Sequence, residues 1–233
     1  MTAVRQFEMF CSHTETTNIN MRTKTLLLTA ALSAAGVATS LAQTYSQNIV
    51  GYINLGIPAG FSMIANQLNN SPDNKVTTLF GTNAPIGTAV YKYSPAGFAE
   101  LDYDGTWSGD DVDMTMNPGE GVFINPPKSF SITFVGEVQL SSSIPVPAGF
   151  AIRSSALPLS AKLQTDLKYP PGNGDAIYQF HSSTQSYTEQ DYAGGWDGDL
   201  GTGVEPTPAI GESFWILNAN AAKVWTQTFT VGG

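Results

Sequence analysis

The hydrophobic and polar residues that follow position 48 alternate with a period of two. Tyr91 and Tyr93, for example, are interleaved with Val90 and Lys92. Successive side chains of a strand point to opposite faces of a sheet, so this pattern predicts β-strands rather than helices. Other alternating runs cover residues 53–57, 130–134 and 176–180.

The same part of the chain contains an internal duplication. Five blocks recur in the same order, which predicts a first repeat at residues 43–135 and a second at residues 136–233. The paired blocks are 58–61 with 147–150, 89–93 with 176–180, 100–107 with 189–196, 119–124 with 211–216, and 133–134 with 228–229.

Turn signals separate the predicted strands. The chain has 23 glycines and 14 prolines, and clusters such as 117–119 and 170–174 are typical of tight turns. We expect an all-β fold with about six short antiparallel strands in each repeat, arranged as a sandwich or a partly closed barrel. Because the junction between the repeats is short, we expect them to pack together. Only residues 162–168 and their counterpart at 76–80 suggest a helical turn.

The first 42 residues have the features of a targeting segment. Two basic residues precede an apolar run at 26–38, and a small-x-small cleavage pattern follows at 40–42, so residues 21–42 are predicted to be a secretory signal peptide. Residues 1–20 are predicted to be a non-native extension, with Met21 as the initiator. The expected location is periplasmic, cell-surface or extracellular, and no transmembrane segment is expected in the mature chain.

The chain is acidic, with a formal net charge of −9. Removing the predicted extension and signal leaves seven basic and seventeen acidic residues and no cysteine, so the net charge becomes −10 and disulfides are excluded. The basic residues are scattered and a phosphate backbone would be repelled, which argues against nucleic acid as a partner. The partners we expect are polysaccharides or components of the cell envelope.

Aromatic residues are abundant, and burying them would supply much of the hydrophobic free energy of folding. We therefore predict that the strand aromatics lie in the core: Tyr91, Tyr93, Phe134, Tyr178, Phe180 and Phe229. Each of two turn tryptophans either folds back over a sheet edge or is exposed beside carboxylates, where it could stack on a sugar ring. The candidate ligand-binding residues are Trp107, Glu100, Asp102, Trp196, Glu189 and Asp191.

Carboxylates clustered in the first repeat suggest a calcium site as a further hypothesis. Calcium takes about six to eight oxygen ligands, which several aspartates on a Gly-rich turn could supply. The spacing does not match an EF-hand loop, and a solvated acidic turn is the alternative. No other cofactor is expected. The candidate calcium ligands are Asp102, Asp104, Asp110, Asp111 and Asp113.

Catalytic signatures are sparse, and we expect neither catalytic residues nor enzymatic activity. Trp215 occupies the place of the last glycine of a G-x-S-x-G elbow, and His181 is the only histidine after residue 42, which leaves too few histidines for a His-rich zinc site. The alternative function is a small secreted glycan-cleaving hydrolase that uses paired carboxylates. The candidate pairs are Glu100 with Glu120 and Glu189 with Glu212.

Several short motifs resemble those of secreted bacterial tandem β-repeat proteins. The matching stretches are P-A-G-F and its continuation at 58–68, V-Y-K-Y at 90–93, Trp107, and P-G-E-G-V-F-I at 118–124. The resemblance covers both repeats and implies a surface or extracellular role without catalytic residues. The second repeat departs from the pattern at Arg153 and Ser155, which replace Ile64 and Asn66, and at Ile210 and Ser213, which replace Pro118 and Gly121.

These patterns together predict a secreted, non-enzymatic β-repeat protein with a structural, adhesive or glycan-binding role at the cell surface.

Overall fold

Each repeat forms seven strands in the computed structural model, which describes residues 49–230. The first repeat contains β1 (Val50–Ile57), β2 (Ser62–Ile64), helix α1 (Val76–Phe80), β3 (Thr88–Ser94), β4 (Gly97–Tyr103), β5 (Trp107–Gly109), β6 (Val122–Asn125) and β7 (Phe130–Glu137). The second contains β8 (Ser141–Val146), β9 (Gly149–Arg153), β10 (Ala176–His181), β11 (Ser186–Tyr192), β12 (Trp196–Gly198), β13 (Phe214–Asn218) and β14 (Lys223–Thr228). The predicted extension and signal peptide lie outside the described residues.

The two repeats have the same topology, which confirms the predicted all-β fold with two tandem units. In each repeat five strands form a sheet, in the order β2-β6-β3-β4-β5 or β9-β13-β10-β11-β12, and the other two form a ribbon, β1-β7 or β8-β14. Every pairing is antiparallel. Each repeat has one strand more than expected. The helical turn expected at 162–168 is a single turn, in which the N–H of Asp166 donates to the carbonyl of Lys162 at 3.0 Å, and its counterpart at 76–80 is helix α1.

A hydrophobic core lies between the sheet and the ribbon of each repeat. In the first repeat, Val90 and Leu101 of the sheet pack with Ile53 and Phe134 of the ribbon, and Phe80 of α1 joins them. The second core has the same plan. Its main members are Ile144, Val146, Leu163, Tyr169, Ile177, Trp196, Phe214, Ile216 and Trp225.

The repeated blocks predict that Phe134 corresponds to Phe229, and this correspondence is wrong by two residues. Phe134 pairs with Ile53 in the first ribbon, and Gln227 pairs with Ser142 at the corresponding place in the second. Gln227 is buried and hydrogen-bonds to backbone groups. Phe229, the predicted counterpart of Phe134, is only partly buried and packs against the core of the first repeat.

The two repeats contact each other reciprocally. Ile64 forms a β-bridge with Glu212, and Arg153, at the place of Ile64 in the second repeat, forms one with Glu120, at the place of Glu212 in the first. Such an exchange of roles is what a twofold axis produces in a symmetric dimer. The chain therefore resembles a dimer whose subunits have been joined.

The backbone hydrogen bonds between the two repeats are reciprocal in the same way. The N–H of Ala65 donates to the carbonyl of Gly211 at 2.8 Å, and the N–H of Ser154 donates to the carbonyl of Gly119 at 3.1 Å. These donors occupy equivalent positions in the two repeats, and so do the acceptors. The contact between repeats thus fixes β2 beside the loop before β13, and β9 beside the loop before β6.

Candidate functional site

The five-stranded sheet of each repeat has one face on the core and one face turned away from it. Val90 and Leu101 are cross-strand partners, and both are fully buried in the first core. Their neighbours Tyr91 and Glu100 are also partners, and they lie on the opposite face because consecutive residues of a strand alternate. We call this second side the outer face of the sheet.

Ten aromatic rings, five from each repeat, lie on or beside the two outer faces. They form five equivalent pairs: Phe61 and Phe150, Tyr91 and Tyr178, Tyr93 and Phe180, Phe98 and Tyr187, and Phe123 and Trp215. Four rings are well exposed: Phe61 at 40%, Phe98 at 49%, Phe150 at 47% and Tyr187 at 44%.

Four rings predicted to lie in the core, Tyr91, Tyr93, Tyr178 and Phe180, are only partly buried and lie outside the cores of the two repeats. Tyr91, Tyr93 and Phe180 pack instead against a third, smaller hydrophobic cluster of Met63, Phe123 and Ile152. The core faces of their strands are filled instead by the smaller aliphatic residues that precede the rings, Val90 and Ile177. The aromatic residues of these strands therefore lie on the outer face.

Four rings of the first repeat line a cleft of about 600 Å³, the first cleft. Phe61 lies edge-on to Phe123, with ring centroids 6.2 Å apart and an interplanar angle of 88°, and its centroid is 6.0 Å from that of Tyr91. Phe98 forms the far wall, 6.3 Å from Phe123. Phe180 of the second repeat, 5.6 Å from Phe123, and Tyr187 complete the aromatic set.

The second cleft, of about 400 Å³, is built from the equivalent residues. Phe150 lies edge-on to Trp215 at 6.0 Å and 88°, and its centroid is 6.1 Å from that of Tyr178. Tyr187 takes the place of Phe98. Tyr93 of the first repeat, 4.7 Å from Trp215, takes the place of Phe180. The two clefts thus reproduce the same ring arrangement.

Each cleft is a composite of both repeats. Phe180 supplies one wall of the first cleft, and Tyr93, its equivalent, supplies one wall of the second. Tyr187 lines both clefts. The reciprocal packing of the repeats therefore assembles the two clefts as well as joining the sheets.

The clefts differ in the polar groups that their rings carry. The first is mostly phenylalanine, with Gln185 at its rim, where the Gln185 amide donates to the Phe61 carbonyl at 2.9 Å. The second has the hydroxyls of three tyrosines and the indole N–H of Trp215, which donates to the Tyr187 hydroxyl at 3.4 Å. The second cleft therefore offers more hydrogen-bonding groups to a ligand.

A carboxylate lies beside the tyrosine of the first cleft. Burial raises the pKa of Tyr91 to about 12, and a hydrogen bond and the charge of Glu100 add to the effect. The hydroxyl therefore stays protonated at neutral pH. Burial also raises the pKa of Asp102, and the nearby charges of Glu100, Asp104 and Asp110 raise it further.

The second cleft repeats this arrangement. Burial raises the pKa of Tyr178 to about 12, again with a hydrogen bond and a charge contribution from Glu189. Burial raises the pKa of Asp191, followed by the charges of Glu189 and Asp197. Of the predicted ligand-binding residues, the four carboxylates Glu100, Asp102, Glu189 and Asp191 thus lie on the outer faces, beside the aromatic clefts.

The two predicted tryptophans lie on the core side of the sheets, away from those carboxylates. Trp107 packs against Phe80 and Tyr103, and its indole N–H donates to the Gly81 carbonyl at 2.8 Å. Trp196 is 3% exposed in the second core. Both fold back over the edge of the sheet, and the structure does not bring either of them to a cleft.

Of the aspartates predicted to bind calcium, Asp102 lies in β4, and the other four are dispersed along the loops that follow β4 and β5. Asp104 accepts hydrogen bonds from Thr106, and the Asp110 carboxylate accepts the backbone N–H of Glu100 at 3.1 Å. Asp111 accepts the N–H of Asp113 at 3.0 Å, and Asp113 is ion-paired at 2.5 Å. Within residues 49–230, no group of three or more His, Cys, Asp or Glu side chains is arranged to hold a metal ion. Calcium binding stays a prediction.

The carboxylates paired in the hydrolase hypothesis lie on opposite faces of each sheet. Glu100 is the partner of Tyr91 on the outer face, whereas Glu120 is ion-paired at 2.9 Å with Lys92 on the other face. Glu212 accepts a hydrogen bond of 2.9 Å from Gln179, the equivalent of Lys92. Glu189 is the outer-face partner of Tyr178.

The sequence interpretation missed Phe61, Phe98, Phe123 and their copies as site residues. The signal that could have found them is the recurrence of aromatic residues at alternate positions in both repeats, on the face opposite a row of aliphatic residues. Such a strand has two apolar faces, and only one of them is needed for the core of its own repeat.

In the described part of the chain, no helix has the length and hydrophobicity needed to cross a bilayer. Comparison with protein-family models, with curated proteins and with solved structures found no match to this chain in any of the three.

Proposed function

We propose that this chain is a secreted, non-enzymatic binding protein that recognises glycans through the two aromatic clefts. The observation that carries the proposal is the duplicated set of five rings, all exposed or half-buried except Phe123, placed around equivalent clefts on the outer faces. Of the structural, adhesive and glycan-binding roles expected from the sequence, these clefts favour glycan binding.

An aromatic ring exposed to water loses hydrophobic free energy that a bound ligand could restore by covering it. About half of the Phe98 side chain is in water, which corresponds to roughly 75 Å² and about 2 kcal/mol of hydrophobic free energy that burial by a ligand could supply. Clustered apolar surface of this kind is typical of ligand-binding sites. The same surface occurs twice in one chain, with the same ring geometry, which favours a binding role over accidental exposure.

A sugar ring suits this chemistry because its C–H face is apolar and its edge carries hydroxyl groups. The C–H face can stack on an aromatic ring, while hydroxyls at the edge donate hydrogen bonds to carboxylates. Phe61 and Phe98 offer ring surface in the first cleft, and Glu100 offers an acceptor beside it. Phe150, Tyr187 and Glu189 offer the same groups in the second.

Titration calorimetry with a panel of neutral oligosaccharides tests the proposal. We expect binding at two sites per chain. Phe61→Ala should weaken the first site about tenfold and Phe150→Ala the second, since the loss of a stacked ring costs about 1.4 kcal/mol. Tyr52→Ala is the matched control, because Tyr52 is an aromatic residue that is 70% exposed on β1, outside both clefts.

Crossed variants test whether each cleft needs both repeats. Phe180→Ala should weaken the first site although Phe180 belongs to the second repeat, and Tyr93→Ala should weaken the second site. The proposal fails if no glycan binds, or if the double variant Phe61→Ala/Phe150→Ala binds as tightly as the unmodified protein.

A further inference from the structure

Within residues 49–230, the outer faces of the two five-stranded sheets carry carboxylates and no basic side chain. Their strands place Glu100 and Asp102 on one outer face, and Glu189 and Asp191 on the other. Each set lies beside an aromatic cleft, and in each set one carboxylate is the cross-strand partner of a tyrosine of that cleft, Glu100 of Tyr91 and Glu189 of Tyr178.

The basic side chains of these strands lie elsewhere. Within the described residues, the five-stranded sheets contain only Lys92, Arg153 and His181 as basic residues. Lys92 is ion-paired with Glu120, and the Arg153 guanidinium donates to backbone carbonyls at 2.7 Å. His181 hydrogen-bonds at 3.1 Å to Thr188, the partner of Gln179 on the core side of the sheet. None of the three offsets the negative charge of the outer faces.

An aromatic ring and a nearby carboxylate favour the same kind of ligand group. The face of an aromatic ring attracts a cation through its quadrupole, and the attraction strengthens where water is displaced. A carboxylate at the rim adds a charge-assisted hydrogen bond to an N–H donor. An anionic group would meet repulsion from both carboxylates of each set.

We propose that both clefts select glycans that carry free ammonium groups, such as polymers of deacetylated amino sugars. This inference rests on the proposed glycan-binding function and specifies its ligand. The sugar ring stacks on the exposed rings, Phe61 and Phe98 in the first cleft and Phe150 and Tyr187 in the second. The ammonium group lies between the tyrosine and its neighbouring carboxylate, Tyr91 with Glu100 in the first cleft and Tyr178 with Glu189 in the second.

The selectivity is measured with two ligands that differ at their amino groups, which are free and can be protonated in one and are acetylated and neutral in the other. A chitosan hexamer and its fully N-acetylated counterpart have the same backbone, and the first is cationic below the pKa of its amines. We expect the chitosan hexamer to bind about five- to tenfold more tightly, as one cation–π contact and one partly exposed ion pair allow. Raising the salt concentration from ~50 mM to ~500 mM should reduce this preference, because salt screens exposed charges.

Variants that replace Glu100 and Glu189 by neutral glutamines of the same shape test whether these carboxylates cause the preference. In Glu100→Gln/Glu189→Gln, the preference for the chitosan hexamer should fall to about twofold or less, with binding of the N-acetylated hexamer retained. Glu137→Gln is the matched control, since Glu137 lies on β7, which belongs to neither five-stranded sheet. It should leave the preference unchanged.

The outcomes separate this inference from the proposed function. If the N-acetylated hexamer binds and the chitosan hexamer binds equally or more weakly, the inference is overturned and glycan binding stands. If polylysine of similar charge binds as tightly as the chitosan hexamer, charge alone explains the attraction and the inference is also overturned. If neither hexamer nor any other glycan binds, the proposed function itself is overturned.

Discussion

Gly121 and Ser213 occupy equivalent positions in the two repeats and face each other across the contact between them. A Cβ atom on Gly121 would lie 2.2 Å from the Cβ of Ser213 and 2.8 Å from a methyl group of Ile152. On a twofold axis, a residue meets its own equivalent, and two side chains larger than hydrogen cannot share this space. The difference between the repeats at this position therefore allows their close approach.

The first prediction is that Gly121→Ala destabilises the protein. Because the new methyl group would overlap with buried Ser213 and Ile152, we expect the free energy of unfolding to fall by about 3 kcal/mol. Urea denaturation measures this loss. The compensating variant Gly121→Ala/Ser213→Gly removes the Ser213 side chain that the new methyl group would overlap. It should recover at least half of the lost free energy of unfolding. Equal stability of the single and double variants would contradict the role assigned to this contact.

The second prediction concerns an ion pair that only one repeat has. Lys92 pairs with Glu120 at 2.9 Å, whereas Gln179, at the place of Lys92, hydrogen-bonds to Glu212. Burial raises the pKa of Glu212, although hydrogen bonds from the Ala209 N–H and from Gln179, and then the charge of His181, act to lower it. A carboxyl group whose folded-state pKa is raised contributes stability at acid pH that is lost as the pH rises through that pKa.

Gln179→Lys should therefore stabilise the protein at neutral pH by about 1 kcal/mol, because it supplies the missing cation. The gain should disappear when the pH is low enough to protonate Glu212. Denaturation at about pH 7 and about pH 4 measures both effects. Lys92→Gln is the mirror-image control and should lose stability at neutral pH. A gain in Gln179→Lys that does not depend on pH would point to packing rather than to charge.

The third prediction concerns a buried carboxylate in the second repeat. Asp175 is fully buried and ion-paired with Lys223, and it accepts hydrogen bonds from the Gly172 N–H at 2.9 Å and from Asn220 at 3.0 Å. Burial acts to raise the pKa of Asp175, but the hydrogen bonds from Gly172, Lys223 and Asn220 outweigh it and lower the pKa overall. The stability that results is present above the unfolded-state pKa and is lost as the pH falls through the folded-state pKa.

Asp175→Asn should destabilise the protein by about 3 kcal/mol at neutral pH, since it leaves Lys223 without its counter-charge. The difference from the unmodified protein should shrink below about pH 4, where the unfolded state begins to bind the proton. Asp102→Asn is a control of opposite sign, because burial and neighbouring carboxylates raise the pKa of Asp102. It should cause no loss at neutral pH. A constant difference at every pH would contradict the electrostatic explanation.

Much of the fold could be predicted from local patterns, because strand alternation and the repeated blocks are both recorded in the sequence. The positions of the rings could not. In β3, Val90 lies on one face and Tyr91 and Tyr93 lie on the other, and a period of two does not show which face is covered by the core. Which face the core covers, and which face carries the rings, depends on the packing of one repeat against the other, and no local sequence pattern records that packing.

The candidate site was predicted only in part for the same reason. The sequence predicts Glu100 and Glu189 as site residues because they stand near the turn tryptophans, and both glutamates are strand partners of cleft tyrosines. Trp107 was placed with them because it is near in sequence, but β5 pairs it with Tyr103 and turns it toward the core side of the sheet. Phe180, Gln185 and Tyr187 of the second repeat contribute to a cleft whose other lining residues belong to the first repeat, which only the three-dimensional arrangement shows.

The last prediction separates rings that hold the fold from rings that are kept for binding. Phe134 is 1% exposed in the first core, and Phe98 is 49% exposed at the first cleft. Phe134→Ala should cost about 4 kcal/mol of unfolding free energy, whereas Phe98→Ala should cost about 1 kcal/mol or less. Glycan affinity should respond in the reverse order, with Phe98→Ala weakening the first site and folded Phe134→Ala binding normally. Urea denaturation and calorimetry on the same samples provide both measurements. If Phe98→Ala is as destabilising as Phe134→Ala, the outer-face rings belong to the stability of the fold, and the binding role assigned to the clefts loses its main support.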